Sequence, residues 1–359
     1  MKNMEKKRRL SGNAVTLLMT AVIAAVCAGM LYSGAASRQM SSMLVSMTCY
    51  IAMAVSLNLV VGLLGELSLG HAGFMSAGLF TGCLFSLATA DSLPLIVRLP
   101  AAMLIGGLAA ALVGLIVGLP ALRLKGDYLA IVTLGCGEII KSIFTNLYIG
   151  LDSRGYHIRF LQAPENLEEG GKLIIGGPMG ISGVQRIATF TGGFVLVMVC
   201  LIVIFHLVNS RTGRAILAIR DNRIAAESNG VNVTYYKLMV FIIAAFFAGM
   251  AGVLYGHTLA NIKPAMFDYN MSIEILVIVV LGGMGSIRGS IIATIILRAL
   301  PEALREVADY RMLAYSVLLI VIMLLNASPK FAELKGRWSV GNILRMRKAN
   351  KEKEGKENG

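Results

Sequence analysis

The chain has 359 residues, of which 56% are hydrophobic and 15% charged, and its formal net charge is +13. This composition exceeds the usual apolar share of soluble domains and contains too little charge for one, so it indicates an integral membrane protein. Because the basic residues flank apolar runs and form no basic face interleaved with aromatics, nucleic-acid binding is not expected.

The N-terminus, residues 1–13, is short and basic. It carries five Lys and Arg residues and precedes an apolar run of 19 residues at 14–32. That run is longer than the roughly 7 to 15 residues of a signal-peptide core, so we expect a first span that is retained. The alternative is cleavage after Ala36, which follows the small residues Gly34 and Ala35.

Apolar runs long enough to cross a membrane follow along the chain. A span needs about 20 residues, because the hydrocarbon core is about 30 Å thick and a helix rises 1.5 Å per residue. We therefore predict an all-α polytopic helical bundle of about ten transmembrane helices, eight at the least, within a transmembrane domain at 14–327. The runs lie at roughly 14–33, 43–64, 67–90, 93–119, 128–149, 190–209, 237–260, 272–284, 288–300 and 312–326.

The last three runs are short, and each is alternatively a half-helix or a re-entrant segment. The distribution of basic residues predicts the orientation. With ten spans and the N-terminus inside, the inside segments hold 22 of the 33 Lys and Arg residues, as the positive-inside rule requires. We therefore expect both termini in the cytoplasm, and a basic, partly disordered tail at 328–359.

The segment at 150–190 is the largest one predicted outside. It contains four acidic and four basic residues and the glycine-rich run GGPMG at 176–180. Such a composition predicts a solvated loop with tight turns, and the functional alternative is an entrance or docking surface.

The segment at 211–237 is charged and lies between two long apolar runs. Its composition predicts a helix at 213–229 that ends at Asn229 and Gly230, too short and too charged to cross a membrane. The helix either adsorbs to the membrane surface or contacts a protein. Apolar contacts are expected from Ile216, Ile219, Ile224 and Ala225, while Arg214, Arg220, Asp221, Arg223 and Glu227 stay available to water or a partner.

Four ionisable residues lie in or beside predicted spans. Glu138 and Lys141 have i,i+3 spacing and are expected to pair, because an unpaired charge at membrane depth costs about 2.5 to 3.5 kcal/mol. Glu66 and His71 flank the start of the third span. All four are either structural groups or the lining of a transport pathway.

No catalytic or metal-binding set emerges from the sequence. The chain has no GxxxxGK[ST] phosphate loop and no HExxH motif, so it cannot itself hydrolyse ATP through such a loop. The run GISG around Ser182, with His257 as a conceivable base, resembles the serine motif of rhomboid-type intramembrane proteases. Since Ser182 lies in a polar, glycine-rich loop, that alternative has little support.

Six blocks of the chain resemble the LivM-type permease of branched-chain amino acid ABC importers, in family order over about 230 residues. Within the fourth block, Ala225, Ala226 and Gly230 resemble the EAA motif of ABC importer permeases, with Ile224 where that motif has glutamate. The blocks read SLNLVVGLLGELSLGHAGFMSAG (56–78), RLKGDYLAIVTLGCGEII (123–140), GGPMGISGV (176–184), SRTGRAILAIRDNRIAAESNGV (210–231), YKLMVFIIAAFFAGMAGVLYGH (236–257) and VVLGGMGSIRGS (279–290).

This resemblance implies a type II ABC importer permease in the bacterial inner membrane, with 211–236 as a cytoplasmic coupling loop. It implies three kinds of partner besides membrane lipid: a homologous second permease chain, two cytoplasmic ATPases that use ATP and Mg, and an external solute-binding protein. This chain would bind no cofactor. The residues expected to couple to the ATPase are Arg214, Arg220, Asp221, Ala225, Ala226, Glu227 and Gly230.

The chain departs from the family at Glu66, at Leu79 and Phe80, and in the length of 150–175. These departures concern the solute more than the fold: members carry mostly Leu, Ile and Val, and relatives carry other amino acids, urea or short amides. The main alternative function is a proton-coupled secondary transporter of a small polar solute, in which Glu138 carries the proton.

Overall fold

The computed structural model describes residues 2–33, 37–90, 92–124, 126–152, 155–161 and 172–303, together with 317, 320 and 324. The chain divides into two compact units, Met1–Ile295 and Ile296–Gly359. All elements discussed below lie in the first unit, except the end of the last helix. The predicted basic tail, and the run at 312–326 apart from three residues, lie outside the described residues.

The described chain is a polytopic helical bundle, which confirms the predicted fold class. Eight of its helical segments are long and apolar enough to cross a membrane. The helices are α1 (Lys2–Tyr32), α2 (Arg38–Asn58), α3 (His71–Ala88), α4 (Leu95–Ala121), α5 (Asp127–Thr145), α6 (Phe190–Asn209), α7 (Arg211–Asp221), α8 (Arg223–Ser228), α9 (Val233–Gly256), α10 (Tyr269–Gly282) and α11 (Ile287–Ala303). The ninth predicted span corresponds to α11, which has 17 residues.

The connection between α2 and α3 is irregular. Helix α2 continues as a π-helix, Leu59–Leu64, which ends at Gly65 in the left-handed region with φ 79°. Extended chain then leads to His71, where α3 begins. Because π-helical turns and broken helices concentrate at functional sites, this connection marks a place where the bundle departs from simple packing.

Helix α9 packs between α3 and α4 through glycines. A Cβ atom at Gly78 would lie 2.3 Å from Gly249 Cα, and one at Gly252 would lie 2.2 Å from Met75 O. Such contacts bring helix backbones together where no hydrophobic force drives association. Gly78 and Gly252 therefore serve the close packing of α3 against α9.

A small antiparallel sheet covers the ends of these helices remote from α7 and α8. Its strand order is β2-β1-β3-β4-β5. The predicted loop at 150–190 therefore contains strands, which are too short to show a clear alternation in sequence. The strands are β1 (Leu147–Asp152), β2 (Gly155–Phe160), β3 (Lys172–Gly176), β4 (Ile181–Ser182) and β5 (Asn261–Ile262).

The glycine-rich run at 176–180 forms a tight turn between β3 and β4. Gly177 and Gly180 have φ values of 54° and 74°, which side-chain-bearing residues rarely adopt. A Cβ atom at Gly180 would also lie 1.8 Å from Ile262 O. The glycines thus allow the turn to approach the backbone of β5.

Candidate functional site

The α7–α8 segment forms where the chain reverses between α6 and α9. Ser210 caps α7, since its Oγ accepts a hydrogen bond from Gly213 N at 3.1 Å. A Cβ atom at Gly213 would lie 2.3 Å from Leu207 O, so only glycine allows α7 to start this close to the end of α6. Ser210 and Gly213 therefore specify the reversal of the chain at this point.

The predicted single helix at 213–229 is wrong, because the structure breaks it at Asn222. This residue is extended, with φ −156° and ψ 104°, and its Oδ1 accepts a hydrogen bond from Ala225 N at 3.1 Å. An Asn side chain competes for backbone groups and so favours a cap over a helix interior. The segment consists of two short helices whose directions are set separately.

The end of α8 has the hydrogen-bond pattern of a Schellman motif. Gly230 N donates to Glu227 O at 3.0 Å, and Val231 N donates to Ala226 O at 3.1 Å. Gly230 itself has φ 77°, and no atom lies within 4 Å of a Cβ placed there. The predicted stop at Asn229 and Gly230 is confirmed, and this end of α8 faces open space.

Burial divides the predicted coupling residues into an outer and an inner face. Ile216, Ile219 and Ala226 are buried, so the expectation that Ala226 contacts a partner needs correction: its methyl group faces the protein. Ile224, expected to pack inward, is instead 77% exposed. The outer face consists of Arg214, Asp221, Ile224, Ala225, Glu227 and Gly230, all exposed.

Arg220 reaches from α7 into the bundle. Its Nη1 donates to Gly62 O at 3.1 Å, and its Nε and Nη2 donate to Asp221 Oδ1. A Cβ atom at Gly65 would lie 2.7 Å from Arg220 Cγ. Arg220 remains 41% exposed, so part of its side chain is still available to water or a partner while the guanidinium binds the end of the π-helix.

Beside this contact, Glu66 forms an ion pair with Lys237 in α9. The side chains are only 15% and 4% exposed, so the pair is largely shielded from water. His71 is also buried, and its Nε2 lies 3.1 Å from Ser56 Oγ. Since the Ser56 hydroxyl donates to Met53 O, the ring nitrogen acts as the donor to Ser56. Glu66 therefore links the α2–α3 connection to α9, and His71 links the start of α3 to α2.

Glu138 and Lys141 pair as the spacing predicted. Glu138 Oε1 also accepts a hydrogen bond from Tyr269 N, the first residue of α10, at 3.0 Å. Carboxylates are stabilised at helix N-termini, where amide groups lack intrahelical partners. The pair is about one-quarter to one-third exposed, so it lies at the edge of the bundle.

A narrow space, too tight to hold a water molecule, adjoins this pair. The N-termini of α3 and α10 meet there, since Ala72 N donates to Ser272 Oγ at 3.2 Å. Close packing at Gly73 and Gly137 holds α3 against α5. The space is lined by Leu69, Gly73, Leu134, Gly137, Glu138, Phe267, Asp268, Tyr269 and Ser272.

The protease alternative receives no support from the geometry. His257 is fully buried, with Nδ1 2.9 Å from Val253 O and Nε2 2.9 Å from Ser86 Oγ. Ser182 lies instead in β4, paired with Asn261. No contact joins the two residues in the described part of the chain.

Sequence reasoning missed the residues that join the π-helix to the α10–α11 turn. Asn58 Oδ1 accepts a hydrogen bond from Gly285 N at 2.8 Å, and its Nδ2 donates to Ser290 Oγ at 3.0 Å. Asn58 is 2% exposed. A buried amide within an apolar run was the available signal, since such a group requires partners.

A family model described as the permease component of the branched-chain amino acid transport system matches residues 39–327. The chain belongs to this family. The match includes α2 through α10, and with them the α7–α8 segment, the Glu138–Lys141 pair and the α2–α3 connection.

Curated relatives agree with the family. The chain is 35% identical over 292 residues to the high-affinity branched-chain amino acid transport system permease protein LivM of Salmonella typhimurium and of Escherichia coli. Each alignment covers 77% of this chain and 66% of the relative. A ribose import permease protein of Haemophilus influenzae is 26% identical, over 76% of this chain and 79% of its own length.

Proposed function

We propose that the chain is a permease subunit of an ATP-driven ABC importer that carries branched-chain or related amino acids across the bacterial inner membrane. Family membership supports the importer class, and the names of the relatives support the substrate class. Its partners would be a homologous second permease, two cytoplasmic ATPases that hold ATP and Mg, and an external solute-binding protein. Both termini would lie in the cytoplasm.

The α7–α8 segment is the observation that carries this proposal. It is a folded, capped element outside the spans, with polar groups around one large exposed apolar side chain, Ile224. Interfaces place an apolar anchor at the centre and polar groups at the rim. The outer face therefore suits a groove on an ATPase, and Ile224 would fill it where the general motif has glutamate.

The Glu138–Lys141 pair suits the passage of a zwitterion. An amino acid presents one carboxylate and one ammonium, so it can exchange partners with Lys141 and Glu138 while every charge stays paired. The exchange avoids the cost of an isolated charge at membrane depth. Leu69, Leu134 and Phe267 line the adjoining space, which would have to widen before a branched side chain could enter it.

The test uses proteoliposomes that contain the complete importer. Uptake of leucine is measured with an excess of valine, isovalerate or isoamylamine; the last two each lack one of the charges. We expect competition by valine alone, and uptake at least tenfold lower in Glu138→Gln. Equal competition by all three compounds, or unchanged uptake in Glu138→Gln, would remove the pathway assignment.

A double variant with Glu138→Lys and Lys141→Glu separates pairing from position. It keeps the i,i+3 ion pair but places an ammonium at the N-terminus of α10, where a carboxylate now accepts the amide of Tyr269. We expect this variant to insert and assemble but not to transport. Normal uptake by the double variant would indicate that the pair serves packing only.

A further inference from the structure

The end of the π-helix presents backbone carbonyls that the helix itself cannot pair. The amide of Gly65 binds Val60 O, and Gly62 O lies in the final turn. The last carbonyls of a helix need other donors, and a cation at a helix C-terminus also opposes the negative end of the helix dipole. Arg220 of α7 supplies both, through Nη1 at 3.1 Å from Gly62 O.

The fit around this contact leaves little room for independent movement. A side chain at Gly65 would meet Arg220 Cγ at 2.7 Å. A Cβ atom at Gly62 would lie 2.0 Å from Asn58 Oδ1 and 2.2 Å from Gly285 N. If the backbone at Gly62 moves, Arg220 on one side and Gly285 on the other must therefore move with it.

Two hydrogen bonds continue the contact to the other side of the π-helix. Asn58 binds Gly285 N and the Ser290 hydroxyl, at 2.8 and 3.0 Å. Gly285 lies in the turn between α10 and α11, and the opposite end of α10 holds Tyr269, whose amide binds Glu138. A continuous series of contacts thus runs from α7 to the helix that adjoins the proposed pathway.

We infer that Arg220 is a positioning residue that transmits movement of α7 to the α10–α11 turn through Gly62 and Asn58. This inference rests on the proposed function. The outer face of the α7–α8 segment would receive the ATPase, and the Arg220 relay, which comprises Arg220, Gly62, Asn58, Gly285 and Ser290, would carry its displacement inward. Coupling between distant sites can be carried by such chains of hydrogen-bonded and packed groups when they have two discrete arrangements.

The experiment measures ATP hydrolysed per leucine transported in proteoliposomes with the complete importer. Arg220→Ala removes the contact with Gly62, and Arg211→Ala is the control, an exposed arginine at the start of the same helix. We expect Arg220→Ala to lower uptake at least tenfold, with basal ATP hydrolysis within twofold of wild type. The control is expected to keep the wild-type ratio. A purely structural role would lower assembly and both rates together, which would overturn the inference.

Arg220→Lys decides the question if Arg220→Ala does not assemble. Lysine keeps the charge but loses the fork that binds Gly62 O and Asp221 at once, so we expect assembly with a several-fold higher ratio of ATP to leucine. A wild-type ratio in this variant overturns the inference and leaves the proposed function standing. Absence of ATP-dependent uptake by the wild-type importer overturns both.

Discussion

Lys237, in the first turns of α9, forms a buried ion pair with Glu66, in the irregular connection between α2 and α3. The pair lies next to the contact between Arg220 and Gly62. The α2–α3 connection is therefore joined to α7 by the hydrogen bond from Arg220 and to α9 by the ion pair with Lys237. This connection is where the α7–α8 segment, which we propose binds the ATPase, meets the bundle.

Removing one partner of this pair should destabilise the protein more than removing both. We expect Glu66→Gln or Lys237→Met to cost about 3 kcal/mol, because each leaves a charge buried without its partner. The double variant should cost less than either single variant, because no buried charge is left without a partner. Thermal unfolding of the purified variants in detergent measures the difference. Additive effects would show that the two side chains do not depend on each other.

Substitutions at Gly78 and Gly135 test the packing of the helices through glycine, because only the first is expected to cause a clash. A Cβ atom at Gly78 would lie 2.3 Å from Gly249 Cα, whereas nothing lies within 4 Å of one at Gly135. We expect Gly78→Ala to destabilise by about 1 to 3 kcal/mol through overpacking. Gly135→Ala should be neutral or stabilising by up to about 1 kcal/mol, since alanine favours helix. Melting temperatures that fall equally in both variants would contradict this account of α3 and α9.

Ile224 should decide whether the ATPase binds. The side chain is 77% exposed, so Ile224→Asp should leave insertion and thermal stability unchanged. A charge at the centre of an apolar contact should lower co-purification of the ATPase at least tenfold, while Ile224→Leu keeps it. The yield of ATPase with the tagged permease is the measurement. Full recovery with Ile224→Asp would place the ATPase contact elsewhere.

The cap at Asn222 should affect the direction of α8 but not the fold of the bundle. Replacing Asn222 with alanine removes the hydrogen bond to Ala225 N and should cost about 1 kcal/mol. We expect Asn222→Ala to keep wild-type assembly of the spans but to weaken ATPase binding several-fold, with Asn222→Asp close to wild type. Wild-type binding of the ATPase by Asn222→Ala would show that the interruption of the helix at Asn222 does not contribute to this contact.

The sequence predicts the helices well because their apolar runs are long and the bilayer sets their length. It also predicts the ion pair of Glu138 and Lys141, whose spacing brings them together on one helix. The break at Asn222 is harder to predict, because alanine, isoleucine and arginine on either side favour helix. Only the cap geometry shows that Asn222 ends one helix and starts another.

The remaining errors share a physical cause, which is that the contacts join residues far apart in the chain. Asn58 binds residues more than 220 positions away, and Glu66 pairs with Lys237 across 171. No local pattern records such pairings. The positions of Ala226 and Ile224 are a different case: at 3.6 residues per turn Ala226 lies on the side of the buried Ile219 and Ile224 lies on the opposite side, so helical periodicity was the available signal.

The central claim is that ATP drives transport through this chain, and the energy source of uptake tests it most directly. Leucine uptake is measured in proteoliposomes that contain the complete importer, with vanadate or with a protonophore. The account predicts that vanadate abolishes uptake and that the protonophore leaves it unchanged. Uptake that stops with the protonophore and persists with vanadate would contradict the account and favour proton-coupled transport through Glu138.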